Sequence, residues 1–381
     1  MKMEMHGTLL FIVNVDWFFI SHRLPIALET LNKGLDVHVA CADTGKHDYL
    51  RALGFKVHEL PLSRSGAGVL SEGRAFKSIY NLIQSIKPRI VHLVTIKPVL
   101  YGGIACRFLN VPKVVASISG LGYVFTDSRP TVRALRFVLT LFYRFALNKK
   151  NVAVIFQNTR DRDLFKSKKI VESTQINMIR GSGASLEDCS VLPQPDGPVV
   201  FMFLARLLKD KGLVDFVEAA KLVLNNGVAA RFVVVGNLDP ENPNAVSAEE
   251  LQSWVDDGVI EYWGFTDNAP RTISKSHVMV LPSFYAEGLP KSLIEAAACG
   301  RAVITTDMPG CRDAIELDVT GLLVPAKNPA RLAEAMEYLA DAPSVRERMG
   351  REGRRLAEEV FDINSVVQKH LEIYGLDEVK I

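Results

Sequence analysis

The sequence predicts an α/β fold made of two Rossmann-like domains, each with a parallel sheet covered by helices on both faces. Short apolar runs rich in β-branched residues alternate with longer helical patterns along all 381 residues, as expected for buried parallel strands joined by crossover helices. That length corresponds to two or three ordinary domains. A segment rich in Gly, Ser and Pro separates two series of strands, so we expect two facing domains with a ligand cleft at the carboxyl ends of their strands.

Ten strands are predicted from the apolar runs, five in each half. In chain order they are Leu9–Val13, Val37–Ala40, Ile90–Leu93, Val114–Ala116, Val152–Phe156, Val199–Leu204, Arg231–Val235, Ile260–Trp263, Val278–Leu281 and Ala302–Thr305. Helical patterns occupy Pro25–Lys33, Thr131–Asn148, Leu213–Leu224, Leu289–Cys299 and much of Arg331–Phe361.

These elements predict the domain boundaries. We expect an amino-terminal domain at residues 1–180, a linker at Gly181–Pro198, where turn-forming residues concentrate, and a carboxyl-terminal domain at 199–362. A last helix at Asn364–Tyr374 lies within the segment 363–381. Its return to the amino-terminal domain is one arrangement that the sequence allows.

Composition favours a protein of a reducing compartment. Hydrophobic residues make up 48% and charged residues 23% of the chain, which is ordinary for a globular protein. None of the five cysteines forms a C-x-x-C pair, so zinc and redox motifs are not expected. The chain shows no secretory signal pattern and no run of 18 uncharged apolar residues, so we expect a cytoplasmic protein that does not span the membrane.

The net charge of +2 conceals two halves of opposite sign. Residues 1–180 hold 26 Lys and Arg against 12 Asp and Glu, whereas residues 181–381 hold 19 against 31. We expect the basic half to face an anionic partner, although undirected drift of surface charge is the alternative. Because this half lacks the aromatic and basic motifs of known nucleic-acid modules, no nucleic-acid partner is predicted.

Several catalytic motifs are absent. The first strand leads into NVDWFFISHRLP without a G-x-G-x-x-G sequence, which argues against a dinucleotide-binding dehydrogenase. The chain contains no P-loop, H-E-x-x-H or G-x-S-x-G sequence, which argues against P-loop nucleotidases, zinc proteases of that type and the usual serine hydrolases. The eight histidines are scattered, so neither a protein-bound metal nor a cofactor is predicted.

Two cations follow the strand Val199–Leu204. Arg206 and Lys211 are five residues apart, between the carboxyl end of this strand and the start of the next helix. A guanidinium fork and a mobile ammonium at such a place can converge on a diphosphate. A solvated helix start is the alternative interpretation of this short motif.

Two carboxylates follow the strand Val278–Leu281. Glu287 lies on the loop, and Glu295 lies inside the helix, where its side chain points back toward the helix start. Both can therefore line one cleft, Glu287 accepting hydrogen bonds from sugar hydroxyls and Glu295 from the ribose. Between them, the backbone at Gly288, Leu289 and Pro290 opens the helix, where N–H groups and the helix dipole favour phosphate.

These residues resemble those of the retaining nucleotide-sugar glycosyltransferases of family 4, which have the GT-B fold. The resemblance covers almost the whole chain and includes Cys299–Ile304 and Thr320–Pro325. It implies that Arg206 and Lys211 bind the donor diphosphate and that Glu287 and Glu295 hold the sugar and the ribose. It also implies that Gly264 and Phe265 lie near the base, and that UDP is the nucleotide.

The first half is similar to a narrower branch, the transferases that extend undecaprenyl-diphosphate-linked sugars for O-antigen, capsule or bacterial N-glycan assembly. The similarity lies in Phe18–Pro25, Thr95–Pro98, Ile118–Tyr123 and Phe156–Asn158. It implies a lipid-diphosphate-linked saccharide as acceptor, with a group of acceptor-binding residues: His22, Arg23, Lys97, Ser119 and Gly120. Many relatives have a His where this chain has Ser119, so either Ser119 or His22 takes the place of that imidazole. The alternative interpretation of His22 is a residue that caps or packs the start of its helix.

One helical segment bears on the location of the protein. Over Thr131–Asn148, at 100° per residue, Arg133, Arg136 and Arg144 form a narrow stripe on an otherwise apolar helix. Such a helix suits an anionic membrane surface, which would place the protein at the inner face of the plasma membrane. Burial against the sheet, with the arginines extending to water, is the alternative.

The resulting hypothesis is a retaining hexosyltransferase that uses a nucleotide diphosphate sugar. Two other hypotheses remain: a nucleotide-sugar epimerase of the same fold, and a non-catalytic scaffold at the membrane surface. Release of UDP that depends on an acceptor distinguishes the first from the epimerase, and binding of UDP distinguishes it from the scaffold.

Overall fold

The computed structural model describes residues 7–62, 68–121, 125, 129–240 and 242–376. The chain divides into two compact units, unit 1 (Met1–Ser182 with Asn364–Ile381) and unit 2 (Gly183–Ile363). Each unit contains one sheet in which every described strand pair is parallel. The predicted fold class, α/β with two parallel-sheet Rossmann-like domains, is confirmed.

Unit 1 has a seven-stranded sheet. Its strands are β1 (Thr8–Val15), β2 (Asp36–Ala42), β3 (Lys56–Glu59), β4 (Ile90–Val94), β5 (Lys113–Ile118), β6 (Val152–Phe156) and β7 (Ile176–Met178), in the order β3-β2-β1-β4-β5-β6-β7. The connecting helices are α1 (Asp16–Asn32), α2 (His47–Ala52), α3 (Val69–Ile86), α4 (Ile96–Phe108), α5 (Pro130–Leu147) and α6 (Thr159–Ser167). The strand order reverses between β1 and β4, which is where doubly wound sheets bind their ligands.

Unit 2 has a six-stranded sheet. Its strands are β8 (Val199–Leu204), β9 (Ala230–Val235), β10 (Glu261–Tyr262), β11 (Val278–Leu281), β12 (Ala302–Thr306) and β13 (Gly321–Val324), in the order β10-β9-β8-β11-β12-β13. The helices are α7 (Leu213–Asn225), α8 (Ala248–Asp256), α9 (Ala269–Ile273), α10 (Lys291–Ala298), α11 (Pro329–Asp341) and α12 (Pro343–Leu356). Here the order reverses between β8 and β11.

The core of each unit follows from its sequence pattern. The apolar runs of the central strands are buried on both faces, as parallel strands between helix layers require. In unit 2, the stacked rings of Phe201 and Phe232, 5.6 Å apart, and the edge-on ring of Phe216 join the sheet to α7.

The last helix, α13 (Ile363–Tyr374), belongs to unit 1 from Asn364 onward. The boundary between the units falls after Ser182, and Ala184 and Cys189 of the segment Gly181–Pro198 are buried in the core of unit 2. All five cysteines are buried free thiols. No helix in the described parts of the chain is long and apolar enough to cross a membrane.

The sequence prediction missed β3, β7 and β13. All three are edge strands, and they are short or carry polar residues, as in Lys56–Glu59. Edge strands often avoid long apolar runs, so a search for such runs missed these three, although it found the fourth edge strand, β10.

The predicted start of the first helix at Pro25 was wrong, because α1 begins at Asp16 and contains Pro25. A proline removes one helical hydrogen bond. Burial of Phe19 and Ile26 on either side of Pro25 keeps the helix continuous.

Candidate functional site

Two loops meet at the carboxyl edge of the unit 2 sheet. The strands β8 and β11 pair directly in parallel, so the loops that leave their carboxyl ends are neighbours. The first loop carries Arg206 and Lys211, and the second carries Glu287 and leads into α10. Both loops lie at the point where the strand order reverses, the expected ligand position in such a sheet.

The structure brings Lys211 and Glu287 into direct contact. The Nζ atom of Lys211 donates a hydrogen bond to Oε1 of Glu287, and the two side chains are only 13% and 12% exposed. The Ser283 hydroxyl donates to the same carboxylate oxygen at 3.2 Å. The Lys211 ammonium also lies 5.7 Å from the centre of the Tyr285 ring, within the range of a cation–π interaction. The sequence prediction that these two charges share one site is consistent with this contact.

Backbone contacts fix the relative position of the two loops. The carbonyl oxygen of Asp210 accepts hydrogen bonds from the amides of Phe284 and Tyr285, at 3.0 and 3.1 Å, and from the Ser283 hydroxyl at 3.3 Å. Gly212 has φ of 82°, and a Cβ there would lie 2.1 Å from the carbonyl oxygen of Pro282. Only glycine therefore permits this approach of the two loops.

Arg206 has an acidic partner that the sequence analysis did not identify. Its Nη1 atom lies 3.1 Å from Oδ2 of Asp239, which follows β9. The Arg206 side chain is 39% exposed and that of Asp239 is 15% exposed, so the carboxylate holds a cation that still faces solvent. Asp239 could have been found from its place beyond a strand that neighbours β8.

Burial raises the pKa of two further groups at this edge. Burial raises the pKa of the Asp210 carboxyl, and the charges of Lys211 and Arg206 counteract that rise. Burial, followed by the negative charges of Glu287 and Asp210, raises the pKa of Tyr285. Tyr285 therefore stays a neutral phenol that can donate a hydrogen bond. The positive charges of both Arg206 and Lys211 thus act on the same carboxyl, that of Asp210.

Glu295 lies on α10 and is buried. Its Oε1 atom is 3.4 Å from Nζ of Lys291, one turn earlier. Burial raises the pKa of Glu295, and Lys291 partly offsets the effect. Its negative charge also acts to raise the pKa of the Cys189 and Cys299 thiols. Its predicted contact with a ribose, beside Glu287, stays a prediction.

The backbone between the two carboxylates is closely packed. A Cβ at Gly310, where φ is 82°, would lie 2.5 Å from the carbonyl oxygen of Gly288 and 2.7 Å from that of Glu287. Leu289 is buried, and Pro290 is the residue before the first turn of α10. Pro290 has no N–H group, so it offers no amide to a phosphate.

Gly264 and Phe265 lie after β10. The carbonyl oxygen of Gly264 accepts a hydrogen bond from the amide of Gly236, at 2.9 Å, and Phe265 is 65% exposed. An exposed ring next to the carboxyl end of β9 is available for stacking on a base. The role predicted for Gly264 and Phe265 near the base stays a prediction.

In unit 1, three of the predicted acceptor-binding residues are neighbours. The Arg23 side chain is buried, with only 1% of the residue exposed. Its Nη1 atom donates a hydrogen bond to the backbone oxygen of His22 at 2.8 Å. Its Nη2 atom lies 3.4 Å from the hydroxyl oxygen of Ser119. Burial lowers the pKa of Arg23 to about 10. A side chain buried to this extent positions its neighbours. The His22 ring stacks on Phe18, with centroids 4.1 Å apart, and Gly120, next to Ser119, has φ of 100°.

Lys97 has a different environment. Its Nζ atom lies 2.7 Å from Oε1 of Glu72, and the Tyr101 hydroxyl donates to the other oxygen of Glu72 at 2.6 Å. The structure therefore gives Lys97 a carboxylate partner on α3.

A buried polar network lies beneath Arg23. The His92 ring bonds to the Tyr374 hydroxyl at 2.5 Å and to the Ser117 hydroxyl at 2.7 Å. Burial, followed by the charge of Arg23, lowers the pKa of both His92 and His370, that of His370 to about 3. These rings are neutral at physiological pH, and they join α13 to the rest of unit 1.

A group of potential metal ligands, Asp16, Asp43 and His47, also lies in unit 1. The Asp16 carboxylate accepts hydrogen bonds from the amides of Thr44, at 2.7 Å, and Lys46, at 3.1 Å. These bonds anchor the loop after β2, which is sufficient reason for the buried carboxylate.

The helix α5 carries the three predicted membrane-binding arginines. Arg133 and Arg144 are exposed, and Arg136 is half-buried. Arg144 donates to the carbonyl oxygen of Lys168 at 2.6 Å. One side of the helix is buried, through Tyr143, Ala146 and Leu147.

Another side of α5 is apolar and exposed. The residues of this surface, with Phe108 of the neighbouring α4, are Leu135, Phe137, Val138, Leu141, Phe142 and Phe145. We call this set the α4–α5 apolar face. The sequence analysis left open that this helix is buried against the sheet and that only its arginines reach water. The exposed apolar side chains of α5 do not agree with that alternative.

Family comparisons cover both halves of the chain. Residues 187–356 match the model of the glycosyl transferases group 1, and residues 8–158 match the glycosyl transferase 4-like model. The matches contain Arg206, Lys211, Glu287 and Glu295 in one half and the predicted acceptor residues in the other.

Individual relatives align over most of the chain. One is the N,N'-diacetylbacillosaminyl-diphospho-undecaprenol alpha-1,3-N-acetylgalactosaminyltransferase of Campylobacter jejuni, 26% identical, with 93% of this chain and 97% of the relative covered. Another is the UDP-Gal:alpha-D-GlcNAc-diphosphoundecaprenol alpha-1,3-galactosyltransferase of Escherichia coli, 25% identical over 77% of each chain. The crystal structure of a glycosyltransferase from Rickettsia africae superposes with a TM-score of 0.77 at 18% identity, covering 99% of this chain and all of that one. The two matched family models together cover both halves of the chain and lead to one conclusion: the protein belongs to the glycosyl transferases, with a group 1 carboxyl-terminal half and a glycosyl transferase 4-like amino-terminal half.

Proposed function

We propose that the protein is a retaining glycosyltransferase that moves a hexose or N-acetylhexosamine from a UDP-sugar to a lipid-diphosphate-linked saccharide at the inner face of the plasma membrane. The observation that carries the proposal is the contact of Lys211 with Glu287 beside Arg206, at the reversal point of the unit 2 sheet. This is a pair of groups suited to a diphosphate and a sugar, held on adjacent loops.

The reaction follows from where charge develops. When the glycosidic bond breaks, negative charge accumulates on the leaving diphosphate. Fixed donors aimed at that position stabilise the transition state more than the ground state. Arg206, oriented by Asp239, and Lys211 supply these donors, and the amides of Gly288 and Leu289 add to them.

The carboxylates orient the sugar. Glu287 accepts hydrogen bonds from the hydroxyls of the transferred sugar, and Glu295 accepts them from the ribose. No enzyme nucleophile is required, because the acceptor attacks from the side of the leaving diphosphate. This same-side attack retains the anomeric configuration, and an oxygen of the leaving phosphate takes the proton of the acceptor hydroxyl.

The relatives support the substrates. The Campylobacter jejuni and Escherichia coli transferases carry saccharide-diphospho-undecaprenol acceptors in their names, and the second names UDP-galactose as donor. We therefore assign a polyprenyl-diphosphate-linked saccharide as acceptor and UDP as the nucleotide. No cofactor enters the proposed reaction, since the nucleotide sugar is itself a substrate.

Release of UDP that depends on an acceptor tests the proposal. Lys211→Ala and Arg206→Ala are expected to lower this rate by about 100-fold or more, the typical effect of removing an oxyanion donor. Lys209→Ala is the matched control, since Lys209 lies on the same turn but pairs with the exposed Glu250 at 3.2 Å. Wild-type rates in Lys211→Ala contradict the site, and UDP release that is equal without acceptor favours the epimerase.

The membrane part of the proposal rests on the α4–α5 apolar face. Phe137 is 66% and Phe108 59% exposed. Between the two helices runs a groove of about 540 Å³ lined by Ile104, Phe108, Val138, Leu141, Phe142 and Phe145. Exposed apolar patches of this kind mark sites of protein or membrane interaction.

The charges around this face select a lipid surface. Arg133 lies one turn from Phe137, and Arg144 lies one turn from Leu141. The Arg107 guanidinium lies 4.8 Å from the centre of the Phe145 ring. Aromatic side chains bordered by arginines match the boundary between acyl chains and anionic headgroups, where each cation contributes about 1 kcal/mol.

Vesicle flotation tests the membrane association. On phosphatidylglycerol-rich vesicles, Arg133→Glu/Arg136→Glu/Arg144→Glu and Phe137→Ser/Phe142→Ser are both expected to bind less than the wild type. Arg74→Glu/Lys77→Glu, with two exposed cations of α3 reversed, is the matched control and should bind like the wild type. Unchanged binding of the arginine variant contradicts the assignment.

A further inference from the structure

We infer that Asn14 and Thr95 form a subsite in unit 1 that binds hydroxyl groups of the acceptor saccharide. The inference rests on the proposed function, because it names a place where the proposed acceptor is held. It comes from three independent features of two adjacent strand ends.

The first feature is the backbone of Thr95, the residue after β4. Its φ is 76° and its ψ is 166°. This region of the conformational map is populated almost only by glycine, and a β-branched residue there is an outlier. Such strain persists only where the surrounding structure imposes it, and it concentrates at functional sites.

The second feature is an irregularity in β1. The pairing of β1 with β2 shifts register between Ile12 and Val15, so Asn14 lies in the interruption. Bulges of this kind occur next to active sites, where they redirect a side chain.

The third feature is a pair of unpartnered oxygens. Oδ1 of Asn14 and Oγ1 of Thr95 are both inaccessible to solvent, and neither has a hydrogen-bond partner among the described residues. Buried polar atoms are nearly always paired, so two orphans at one place require an explanation. Both residues are only partly buried, and rotation about a side-chain bond changes the direction in which each oxygen faces.

The two residues are neighbours at the reversal point of the sheet. Ile12 of β1 pairs with Leu93 of β4, so Asn14 and Thr95 follow the same pair two residues later. The next strand, β5, ends at Ile118, and the hydroxyl of the following Ser119 lies 3.4 Å from Nη2 of Arg23. Ligands of doubly wound sheets bind outside the carboxyl ends of the strands at this point.

The chemistry of the pair identifies the ligand class. An amide oxygen only accepts hydrogen bonds, whereas a threonine hydroxyl donates and accepts. A sugar hydroxyl can donate a hydrogen bond to the amide oxygen of Asn14, and it can either donate to or accept from the hydroxyl of Thr95. A phosphate has no proton to offer the amide oxygen, so the pair fits a neutral polyol rather than the diphosphate of the acceptor.

The test uses the full-length enzyme and a short-chain prenyl-diphosphate-linked N-acetylglucosamine as probe. Thr95→Gly suits the strained backbone but lacks the hydroxyl, and Asn14→Ala lacks the amide oxygen. Both are expected to raise KM for the probe about tenfold or more and to leave KM for the UDP-sugar unchanged. Thr95→Ser is expected to recover most of the loss. Lys87→Gly, at another positive φ of 50°, controls for relief of strain and should alter neither KM.

Thermal melting separates this role from a structural one. Thr95→Gly is expected to melt at or above the wild-type temperature while it loses affinity for the probe. An unchanged probe KM in a stable Thr95→Gly overturns the subsite, as does a melting temperature well below that of the wild type.

Saturation-transfer NMR with the same probe provides a readout without turnover. Loss of the saccharide signals in Asn14→Ala supports the subsite, even if the wild-type enzyme transfers no sugar to the probe. An absence of sugar transfer by the wild type would contradict the proposed function but not the subsite. Saccharide signals that are unchanged in Asn14→Ala overturn the subsite.

Discussion

Lys211 and Glu287, 76 positions apart in the chain, form an ion pair that is almost completely buried at the edge of the unit 2 sheet. The ammonium proposed to hold the donor diphosphate is thus bonded to the carboxylate proposed to hold the donor sugar. A diphosphate that reaches Lys211 competes with Glu287, and the displaced carboxylate becomes available for sugar hydroxyls. Binding of one part of the donor in this way prepares the group that binds the other part.

Competition between the carboxylate and the diphosphate predicts opposite effects on binding and turnover. Glu287→Gln removes the charge that occupies Lys211, so free UDP is expected to bind several-fold more tightly. Transfer is expected to slow by about 100-fold, because the sugar loses a charged acceptor. Calorimetry with UDP and steady-state kinetics measure the two effects.

The matched control for this variant is Glu250→Gln, which breaks the exposed pair with Lys209 on the same turn. It should leave both UDP affinity and turnover near wild type, since exposed pairs contribute little. UDP affinity that is unchanged or weaker in Glu287→Gln contradicts the competition.

Asp239 is expected to act through Arg206. Asp239→Asn keeps the shape of the side chain but releases the guanidinium, which is 39% exposed. Pairs of this exposure contribute about 0 to 1 kcal/mol, so KM for the donor should rise about two- to fivefold with little loss of stability. Glu261→Gln, which breaks the exposed pair with Arg231 at the other end of β9, should not alter KM. A larger KM change in the control than in Asp239→Asn would show that Asp239 does not orient Arg206.

A close backbone contact predicts a glycine requirement. Gly310→Ala places a Cβ 2.5 Å from the carbonyl oxygen of Gly288, so the loop that carries Glu287 and Gly288 must move. Gly258→Ala has the same unfavourable sign of φ, 69°, but nothing within 4 Å of its Cβ. Both should lose about 1 to 2 kcal/mol through backbone strain, and Gly310→Ala should lose more and also turn over more slowly. Equal melting temperatures and equal rates in the two variants would argue against the contact.

The fold was predictable because burial leaves a strong pattern. The apolar runs of β1, β4, β8 and β11 are buried on both faces and were all identified. The edge strands β3, β7 and β13 face water on one side and carry no such pattern. Sequence reasoning therefore finds the centre of a parallel sheet more readily than its margins.

The meeting of the two loops in unit 2 was predictable for a related reason. In a parallel sheet, residues that follow neighbouring strands meet at one edge, and this placed Arg206, Lys211 and Glu287 together. Asp239 was missed because a single Asp in the sequence GNLDPEN resembles an ordinary loop. The strain at Thr95 could not be recognised in the segment Thr95–Pro98, since a strained φ is a property of the folded backbone that residue identity does not reveal.

The burial of Glu295 has a consequence for stability. Burial raises its pKa above the ordinary value of 4.5. Between that value and the folded pKa, the folded protein holds a proton that the unfolded chain has lost, so the free energy of unfolding falls as pH rises. Above the folded pKa the full penalty of a buried charge is present.

Glu295→Gln removes this penalty and keeps the shape of the side chain. The variant is expected to be more stable than the wild type at pH 8, by about 1 kcal/mol or a few degrees in melting temperature, and the advantage should vanish near pH 4. If Glu295 binds the ribose, the same variant binds UDP more weakly, so stability and affinity change in opposite directions. Glu218→Gln is the matched control, because Glu218 forms an exposed helical pair with Lys221 at 2.9 Å and should show neither effect. Melting curves from pH 4 to 8 check the sign: a stabilisation that is the same at both ends of this range would show that the carboxylate of Glu295 is not responsible for it.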